Sequence, residues 1–397
     1  MHDPIRRRAK RPTLDDVARA IGVSHQTVSR VINNHPRVLP ETRARVLAEI
    51  ELMGYQPNRA ARFLANQRST LVGLVASDSR SYGPAHALLS IEQEAQRHGY
   101  TLITIGLNKF TTAEISKAAQ ELIANSAQGV ILDLPFEIDR RELSAALPNV
   151  PFVGLDVDGG RVFPSFRFDH ARGARMATRH LVDLGHQRIA GLVGEPPWRS
   201  FKLRKRGWLQ ELAKYRLKPG PCLETAWTAD GGYQATKRLL RDSCREFSAI
   251  FAANDLIALG SMLALHENGV RVPDEISVVG FDGMPEAEFF YPPLSTVAVD
   301  FDILAKESLQ SLFAAIEGSK DQPIKKVGIP KLIERKSAGP PRRGALPRGR
   351  ASLRPSRLAP TAPAVIRAIH CALARACTRY IESNARRWRL PSEWFCE

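Results

Sequence analysis

The sequence is poor in cysteine and has no long apolar run, and each shortage argues against a class of protein. Its five cysteines form no C-x-x-C pair, which disfavours both a disulfide framework and a structural zinc site. Because there is no run of about 18 apolar residues, no membrane span is predicted, and the arginine-rich first residues are unlike a secretory signal. We therefore expect a reduced, cytoplasmic protein without a membrane partner.

The short motifs that accompany common enzymatic chemistry are also missing. The chain contains no G-x-G-x-x-G loop, no Walker phosphate loop and no G-x-S-x-G nucleophile elbow. It contains no recognisable nucleophile–base or metal-ligand cluster either. We expect a protein that is not an enzyme and that uses no cofactor and no metal.

Acidic residues are in deficit only at the two ends of the chain. Residues 1–68 contain 13 Lys/Arg against 6 Asp/Glu, and residues 339–397 contain 12 Arg against 3 Glu. Residues 69–338 contain 32 of each kind. A basic module joined to a neutral body predicts that the ends meet a polyanion while the body has another role.

Residues 13–57 predict three short helices. Thr13, followed three residues later by an aspartate, predicts a capping box, and apolar residues at helical spacing continue to Gly22. Ser24 can cap a second helix, and Pro40 fits the first turn of a third. Two helices joined by a tight turn predict a helix-turn-helix, whose second helix enters the major groove of DNA.

Residues 58–68 predict one more short helix, which a free-standing helix-turn-helix does not need. Asn58 is a suitable N-cap, and Arg59 and Arg62 add positive charge. A helix this short is marginal alone in water, so we expect it to form against a partner or DNA. Leu64 would then insert between base steps of the minor groove.

Residues 69–338 alternate β-rich apolar runs with amphipathic segments, which predicts parallel sheets with helices on both faces. The predicted strands are 71–76, 101–105, 130–134, 152–156, 189–193, 249–253, 277–281 and 296–299. The predicted helices are 85–99, 112–126, 171–184, 201–212, 231–240 and 256–268. Parallel sheets bind ligands beyond the carboxyl ends of their strands, where Asp156, Asn254 and Asp282 stand.

Several motifs together resemble the LacI/GalR family of bacterial transcription repressors. They are TLDDVARAIGVSHQTVSRVIN, GYQPNRAARFLA, LGHQRIAGLVG (184–194), ANDLIALG (253–260), ISVVGFD (276–282) and YPPLSTV (291–297). The resemblance covers about residues 12–337. It implies an α/β chain: an N-terminal all-α helix-turn-helix domain and a periplasmic-binding-protein-like body of two doubly wound parallel-sheet subdomains.

The resemblance also implies the division of the chain. The expected segments are a DNA-binding domain (1–57), a hinge helix (58–68), an effector-binding and dimerisation domain (69–338) and a basic Pro/Arg-rich tail (339–397). The crossovers between subdomains are expected near 163–170, 294–302 and 326–330. In the tail, an apolar stripe from Ile366 to Tyr380 is compatible with a helix that joins two dimers into a tetramer. The alternative is an unstructured basic extension, whose charge would add salt-sensitive affinity for DNA.

Two sets of contact residues follow from the resemblance. His25, Gln26 and Arg30 would face base edges, because Gln suits adenine and Arg suits guanine. The expected DNA contacts are Thr13, Ser24, His25, Gln26, Thr27, Ser29, Arg30, Asn33, Asn58, Arg59, Arg62 and Leu64. The expected effector contacts are Tyr82, Pro84, Asp156, Ser200, Arg204, Trp227, Asn254, Asp282 and Phe301.

The function implied is repression of a sugar-utilisation operon, relieved when a sugar such as a galactoside binds the cleft. The expected partners are double-stranded operator DNA, the sugar and a second copy of the chain, since two modules must sit one helical turn apart to read a palindrome. The alternative is a corepressor-type regulator that responds to a non-sugar effector such as a purine.

Overall fold

The computed structural model describes residues 12–32, 35–55, 69–77, 81–134, 136–195, 198–242, 246–318 and 325–342. Five of the expected DNA contacts lie outside these ranges: Asn33, Asn58, Arg59, Arg62 and Leu64. The predicted hinge helix at 58–68 and the tail from residue 343 onward lie outside them as well.

The N-terminal module consists of three helices: α1 (Leu14–Ile21), α2 (His25–Ile32) and α3 (Pro40–Met53). The capping box at the start of α1 is present. The Thr13 hydroxyl accepts from the backbone N–H of Asp16, and the Asp16 carboxylate accepts from that of Thr13. Gly22 ends α1 with a φ of 68°, in the left-handed region that favours glycine.

A small apolar core joins these helices. Val17, Val28 and Val46, one from each helix, are completely buried, and Tyr55 belongs to the same cluster just after α3. Because Val28 and Val31 point inward, α2 turns its other face to solvent.

The body consists of two six-stranded sheets with helices packed on them. Its strands are β1 (Leu71–Ser77), β2 (Thr101–Leu107), β3 (Ala127–Asp133), β4 (Phe152–Leu155), β5 (Ser165–Phe168), β6 (Ile189–Gly194), β7 (Cys222–Thr225), β8 (Ala249–Ala252), β9 (Ser277–Asp282), β10 (Ser295–Ala298), β11 (Lys325–Gly328) and β12 (Lys331–Ile333). Its α-helices are α4 (Tyr82–Arg97), α5 (Thr112–Ala124), α6 (Arg140–Ala146), α7 (His170–Asp183), α8 (Arg199–Lys214), α9 (Ala229–Asp242), α10 (Asp255–Glu267) and α11 (Phe301–Ile316). A 3₁₀ helix covers Pro285–Phe289.

Both sheets have the strand order of a doubly wound fold. Sheet A has the order β11-β5-β4-β3-β1-β2, and its paired strands run parallel. Sheet B has the order β12-β10-β9-β8-β6-β7, in which β12 pairs antiparallel to β10 and the other pairs are parallel. The predicted fold class, a helical N-terminal module followed by two parallel-sheet subdomains, is confirmed.

The chain passes between the two sheets three times, at neighbouring places. After β5 it enters α7, which packs on β9 and β10; after β10 it enters α11, which packs on β3 to β5; and β11 leads to β12. The N–H of Asp169 donates to the carbonyl of Gly328, which ties the first crossover to the third. These crossovers join the two sheets beside the cleft between them.

Several element boundaries differ from the sequence-based expectation. Helix α4 begins at Tyr82 rather than at Ala85, because Pro84 is tolerated in the first turn of a helix. Just past residue 338, where the body is predicted to end, the N–H of Gly339 donates to Ser277 Oγ at 3.0 Å. None of the helices in the described ranges is both long and apolar enough to span a bilayer.

Candidate functional site

A cavity lies at the carboxyl ends of the strands, between sheet A and sheet B. It encloses about 670 Å³ of empty space, part of it open to solvent. All nine residues expected to contact an effector line it: Tyr82, Pro84, Asp156, Ser200, Arg204, Trp227, Asn254, Asp282 and Phe301. The structure therefore brings the whole predicted set to one place.

Four charged or polar side chains form a chain of contacts across the cavity. Asp156 Oδ1, on the sheet A side, lies 3.0 Å from Nε2 of His170. Arg204 Nε donates to the other ring nitrogen of His170 at 3.4 Å. A second Arg204 nitrogen, Nη2, lies 2.8 Å from Asp282 Oδ1, and both of these side chains are about 95% buried. The chain therefore connects residues of the two subdomains.

Within this series of contacts, the charged side chains shift the pKa values of the two carboxylates. Burial raises the pKa of Asp156, but His170, which hydrogen-bonds to it, and the nearby Arg199 and Arg204 bring the pKa below its usual range. Burial raises the pKa of Asp282, and Arg204 only partly offsets this rise. The Arg204 guanidinium is desolvated on one side as well, since it lies 3.8 Å from the Phe281 ring centroid.

The two aspartates at the ends of this series of contacts have unusual backbone conformations. Asp156 has a φ of 49° and Asp282 a φ of 103°, and positive φ costs an L-residue on the order of 1–3 kcal/mol. Each directly follows or ends a buried strand, so the strained backbone turns its carboxylate into the cleft. Strain of this kind concentrates at binding and catalytic sites.

Aromatic rings form the other part of the cavity wall. Trp227 stacks on Phe201 with centroids 3.7 Å apart and meets Trp198 edge-on at 6.3 Å. Across the cavity, Tyr82 and Phe301 meet edge-on at 6.1 Å. The site therefore combines flat apolar faces with fixed polar groups.

The Tyr82 phenol remains a neutral hydrogen-bond donor. Burial and the nearby carboxylates, of which Asp282 contributes most, raise the pKa of Tyr82 to about 12. Pro84 lies one turn into the same helix, and Ser200 occupies the first turn of α8. Both helices thus begin at the cavity.

The side chain of Asn254 makes more hydrogen bonds to the protein backbone than the sequence suggested. Its Oδ1 caps α10 by accepting from the N–H of Ile257 at 2.7 Å, and its Nδ2 donates to the Trp227 carbonyl at 3.1 Å. These two contacts fix the Trp227 loop against α10. Direct contact between Asn254 and an effector stays a prediction.

The cavity-lining residues that sequence reasoning missed include Asp133, Phe168 and His170. Asp133 is the last residue of β3, yet the predicted strand continued through Leu134 and so hid the signal that had identified Asp156. His170 opens α7 directly after a crossover. Strand ends and crossovers were therefore the signals that could have found them.

The residues expected to contact DNA within the described ranges lie on or beside α1 and α2. His25, Gln26 and Arg30 are exposed on α2, opposite buried Val28 and Val31. Ser24 accepts from the N–H of Thr27 at 3.2 Å and so caps the helix; Ser29 is half-buried, and Thr13 caps α1. The exposed polar face of α2 can therefore meet base edges without disturbing the core.

No cluster of His, Cys, Asp or Glu that could hold a metal ion occurs in the part of the chain that the structure describes. The side chains that line the cavity can hydrogen-bond to a bound molecule and contact its apolar parts.

Two family profiles match the chain. One, described as bacterial regulatory proteins of the lacI family, covers residues 13–58. The other, described as a periplasmic binding protein-like domain, covers residues 178–338.

Curated relatives and solved structures agree with these profiles. The chain is 36% identical to the lactose operon repressor of Escherichia coli K12 over 307 residues, which span 77% of this chain and 85% of that protein. It is 30% identical to the HTH-type transcriptional repressor PurR of Haemophilus influenzae, over 82% of this chain and 98% of that protein. A crystal structure of the lac repressor dimer bound to operator and the anti-inducer ONPF superposes with a TM-score of 0.74 at 34% identity, covering 83% of this chain and all of that one.

Proposed function

The chain belongs to the lacI family of bacterial regulatory proteins, and from this premise we propose that it represses transcription until a sugar binds in its cavity. DNA binding and repression follow from the family, whereas the sugar is inferred from the chemistry of the cavity. The relatives with which it aligns are transcription regulators, and no catalytic step is proposed. Since operator DNA lies in the bacterial cytoplasm, we place its action there.

The observation that carries the sugar proposal is the mixture of groups in the cavity. Its carboxylates can accept hydrogen bonds from hydroxyl groups, while the Arg204 guanidinium and the Tyr82 phenol can donate. The Trp227 and Phe301 rings offer apolar faces for the carbon-bound hydrogens of a sugar ring. A molecule that is polar at its edge and apolar on its faces satisfies all of these groups together.

Asp133 is a further candidate contact. Its side chain is about nine-tenths buried and lines the cavity, and it has no hydrogen-bond or ion-pair partner among the described residues. A sugar hydroxyl in the cavity can donate a hydrogen bond to the Asp133 carboxyl group.

On the DNA side, we propose that α2 reads the operator. Gln26 and Arg30 lie four residues apart on its exposed face, with His25 beside them, and a bidentate contact from Gln or Arg is worth about 1–3 kcal/mol of base discrimination. The remaining hydroxyl residues at the helix starts would bind phosphates and set the register. We assign residues 58–68 to the joint between this module and the body.

We propose that the functional unit is a dimer. A palindrome presents two half-sites one helical turn apart, so two modules must be held together. Leu259 and Leu263 lie four residues apart on α10, with 36% and 51% of their surfaces exposed. This apolar outward face suits contact with a second copy, and the related lac repressor structure is a dimer.

The effector would act by preferring one arrangement of the two sheets. Since both sheets line the cavity, the contacts available to a bound molecule depend on how the sheets are placed. A thousandfold preference for the arrangement that separates the two modules corresponds to about 4 kcal/mol. Contacts of the kind seen around Arg204 can supply a difference of this size.

The test is release of DNA by sugars. An operator selected from random palindromic DNA is titrated with the protein by fluorescence anisotropy, with and without galactose, glucose or their glycosides. We expect at least one sugar to weaken operator binding more than tenfold. Arg204→Met should abolish the release while leaving DNA binding intact, whereas Arg206→Met, on the exposed face of α8, should not.

Purine bases are the decisive counter-test. If sugars leave operator affinity unchanged while a purine raises it, the effector is a corepressor and the sugar proposal is wrong. If release by a sugar survives Arg204→Met, the assignment of the cavity is wrong.

A further inference from the structure

Four side chains meet beside the cavity from opposite sides of the cleft, and one of them, Trp198, lines the cavity. Phe136 and Glu137 follow β3 of sheet A, whereas Trp198 and Lys202 lie at the start of α8, which packs on sheet B. The centroids of the Phe136 and Trp198 rings are 5.2 Å apart, and Lys202 Nζ donates to Glu137 Oε2 at 2.9 Å. We name these four residues the cleft rim.

Further contacts hold the cleft rim in place. Next to Trp198, Arg199 Nη1 donates to the backbone carbonyl of Asp156 at 3.2 Å, which attaches the first turn of α8 to sheet A at a second point. Phe110 packs behind Phe136 with ring centroids 4.2 Å apart, and Trp198 is backed by Trp227. A continuous row of aromatic rings therefore runs from one subdomain to the other.

The cleft rim limits the room beside a bound molecule. Phe168 and Phe301 line the cavity where the chain crosses between sheets, and Trp198 lines it at the rim. A ring that contacts the Arg204–Asp282 pair therefore has protein at both places. A substituent pointing toward the rim meets the Trp198 indole.

We propose that the cleft rim sets the size of the effector, by admitting one sugar ring and rejecting a second ring attached on the rim side. This inference rests on the proposed function, since it takes the effector to be a sugar in this cavity. A second ring would have to separate Phe136 from Trp198. Losing an aromatic pair of this kind weakens binding about three- to tenfold.

The two parts of the cleft rim contribute unequally. The Glu137 carboxylate and the Lys202 ammonium are more than half exposed, and an exposed ion pair contributes little to stability. The Phe136–Trp198 contact is the part that a larger ligand cannot displace without a loss of binding free energy. This difference supplies a matched control within the same four residues.

The experiment compares one-ring and two-ring sugars on the full-length protein. Binding of galactose, lactose, glucose and cellobiose is measured by calorimetry, and the ratio of one-ring to two-ring affinity is taken for each related pair. We expect Phe136→Ala and Trp198→Ala each to lower this ratio about three- to tenfold. Trp198→Phe, which keeps a ring, and Lys202→Met, which removes only the ion pair, should leave it unchanged.

A kinetic measurement adds a second readout. Phe136→Ala leaves Trp198 and Trp227 in place, so stopped-flow tryptophan fluorescence can follow sugar association. We expect the two-ring sugars to associate faster than with the wild type, because their second ring no longer has to break the Phe136–Trp198 contact. This readout stands even if Trp198→Ala fails to fold.

The outcomes separate the two proposals. If sugars bind but neither the affinity ratio nor the association rate changes in Phe136→Ala, the cleft rim has no role in selection and this inference is overturned. If none of the sugars binds the wild-type protein, the proposed function itself is overturned, and this inference with it.

Discussion

Asp133 is a single residue whose burial makes the stability of the folded protein depend on pH. Burial and the neighbouring Asp156 carboxylate raise the pKa of Asp133 to about 7. Between about pH 4 and pH 7 the unfolded chain has lost this proton while the folded protein keeps it, so Asp133 makes the folded state less stable as pH rises. We expect Asp133→Asn to be more stable than the wild type at pH 8, by on the order of 4 kcal/mol.

Urea denaturation of the unliganded protein at pH 4 and pH 8 checks this expectation. Asp139→Asn is a matched control, because the pKa of Asp139 is shifted in the opposite direction. The Asp139 carboxylate caps α6, and hydrogen bonds from the backbone N–H groups of Glu142 and Arg141 lower its pKa. The control should therefore bring no gain at pH 8. An Asp133→Asn protein whose advantage does not grow with pH would contradict the argument.

His186 should act in the opposite direction on acidification. Its ring is buried between Ser248, Ser277 and the carbonyl of Gly339, and burial, the largest cause, lowers the pKa of His186 to about 4. Between about pH 6.5 and pH 4 the unfolded chain binds a proton that the folded protein refuses, so stability falls as pH falls.

The corresponding variant is His186→Gln, which keeps a polar group but cannot titrate. We expect its denaturation midpoint to change less than that of the wild type between pH 7 and pH 5. Over the whole range from pH 6.5 to pH 4, the titration of His186 changes the free energy of unfolding by on the order of 3 kcal/mol. A wild-type slope that persists unchanged in the variant would assign the acid sensitivity to other groups.

Among the elements, α1 depends on its cap. It has only eight residues, and a helix this short is marginal without capping and tertiary contacts. Thr13→Ala removes the hydroxyl that accepts from Asp16 and should cost about 1 kcal/mol of local stability. Hydrogen exchange of the α1 amides in the full-length protein measures this loss, and Thr13→Ser, which keeps the hydroxyl, should show little of it.

Long, regularly patterned elements were predictable from sequence, and short edge strands were not. The helix predicted over 112–126 is observed at Thr112–Ala124. By contrast, β7 has four residues, of which Cys222 and Glu224 are exposed, and it pairs only with β6 at the edge of sheet B. So short a strand has too few residues to show an alternating pattern. It becomes recognisable as a strand only through its pairing with β6 in the folded protein.

Helix α11 was missed for a different reason. It has 16 residues, but its buried face includes Ser308 and Ser311. Their hydroxyls donate to the backbone carbonyls of Leu304 and Glu307, so they can be buried without an external partner. In the sequence these serines interrupt the apolar spacing that would have indicated a buried helix.

For the whole molecule, the proposed dimer would connect the body to DNA. Leu263→Asp places a charge on the apolar face of α10 and should shift the protein toward monomers. Because a monomer presents one module to a palindrome, operator affinity should fall by more than tenfold. Analytical ultracentrifugation and anisotropy measure both effects.

Leu209 offers a comparison, because it is exposed on α8 to a similar degree as Leu259, at 38%. Leu209→Asp should leave the association state unchanged. If Leu263→Asp remains a dimer with full operator affinity, the dimer interface lies elsewhere on the chain.

The amino-acid order by itself determined the helix-turn-helix and the alternating parallel-sheet body, through apolar periodicity and capping residues. The nine candidate contacts came as a set from the resemblance of several motifs to a known family, with strand ends pointing to Asp156, Asn254 and Asp282 among them. Tertiary structure alone decided that Asp156, His170, Arg204 and Asp282 form one chain of contacts, that Asp133 joins the cavity without a partner, and that Phe136 meets Trp198. Such contacts join distant segments, and their distances depend on how the two sheets are placed, which no local pattern encodes.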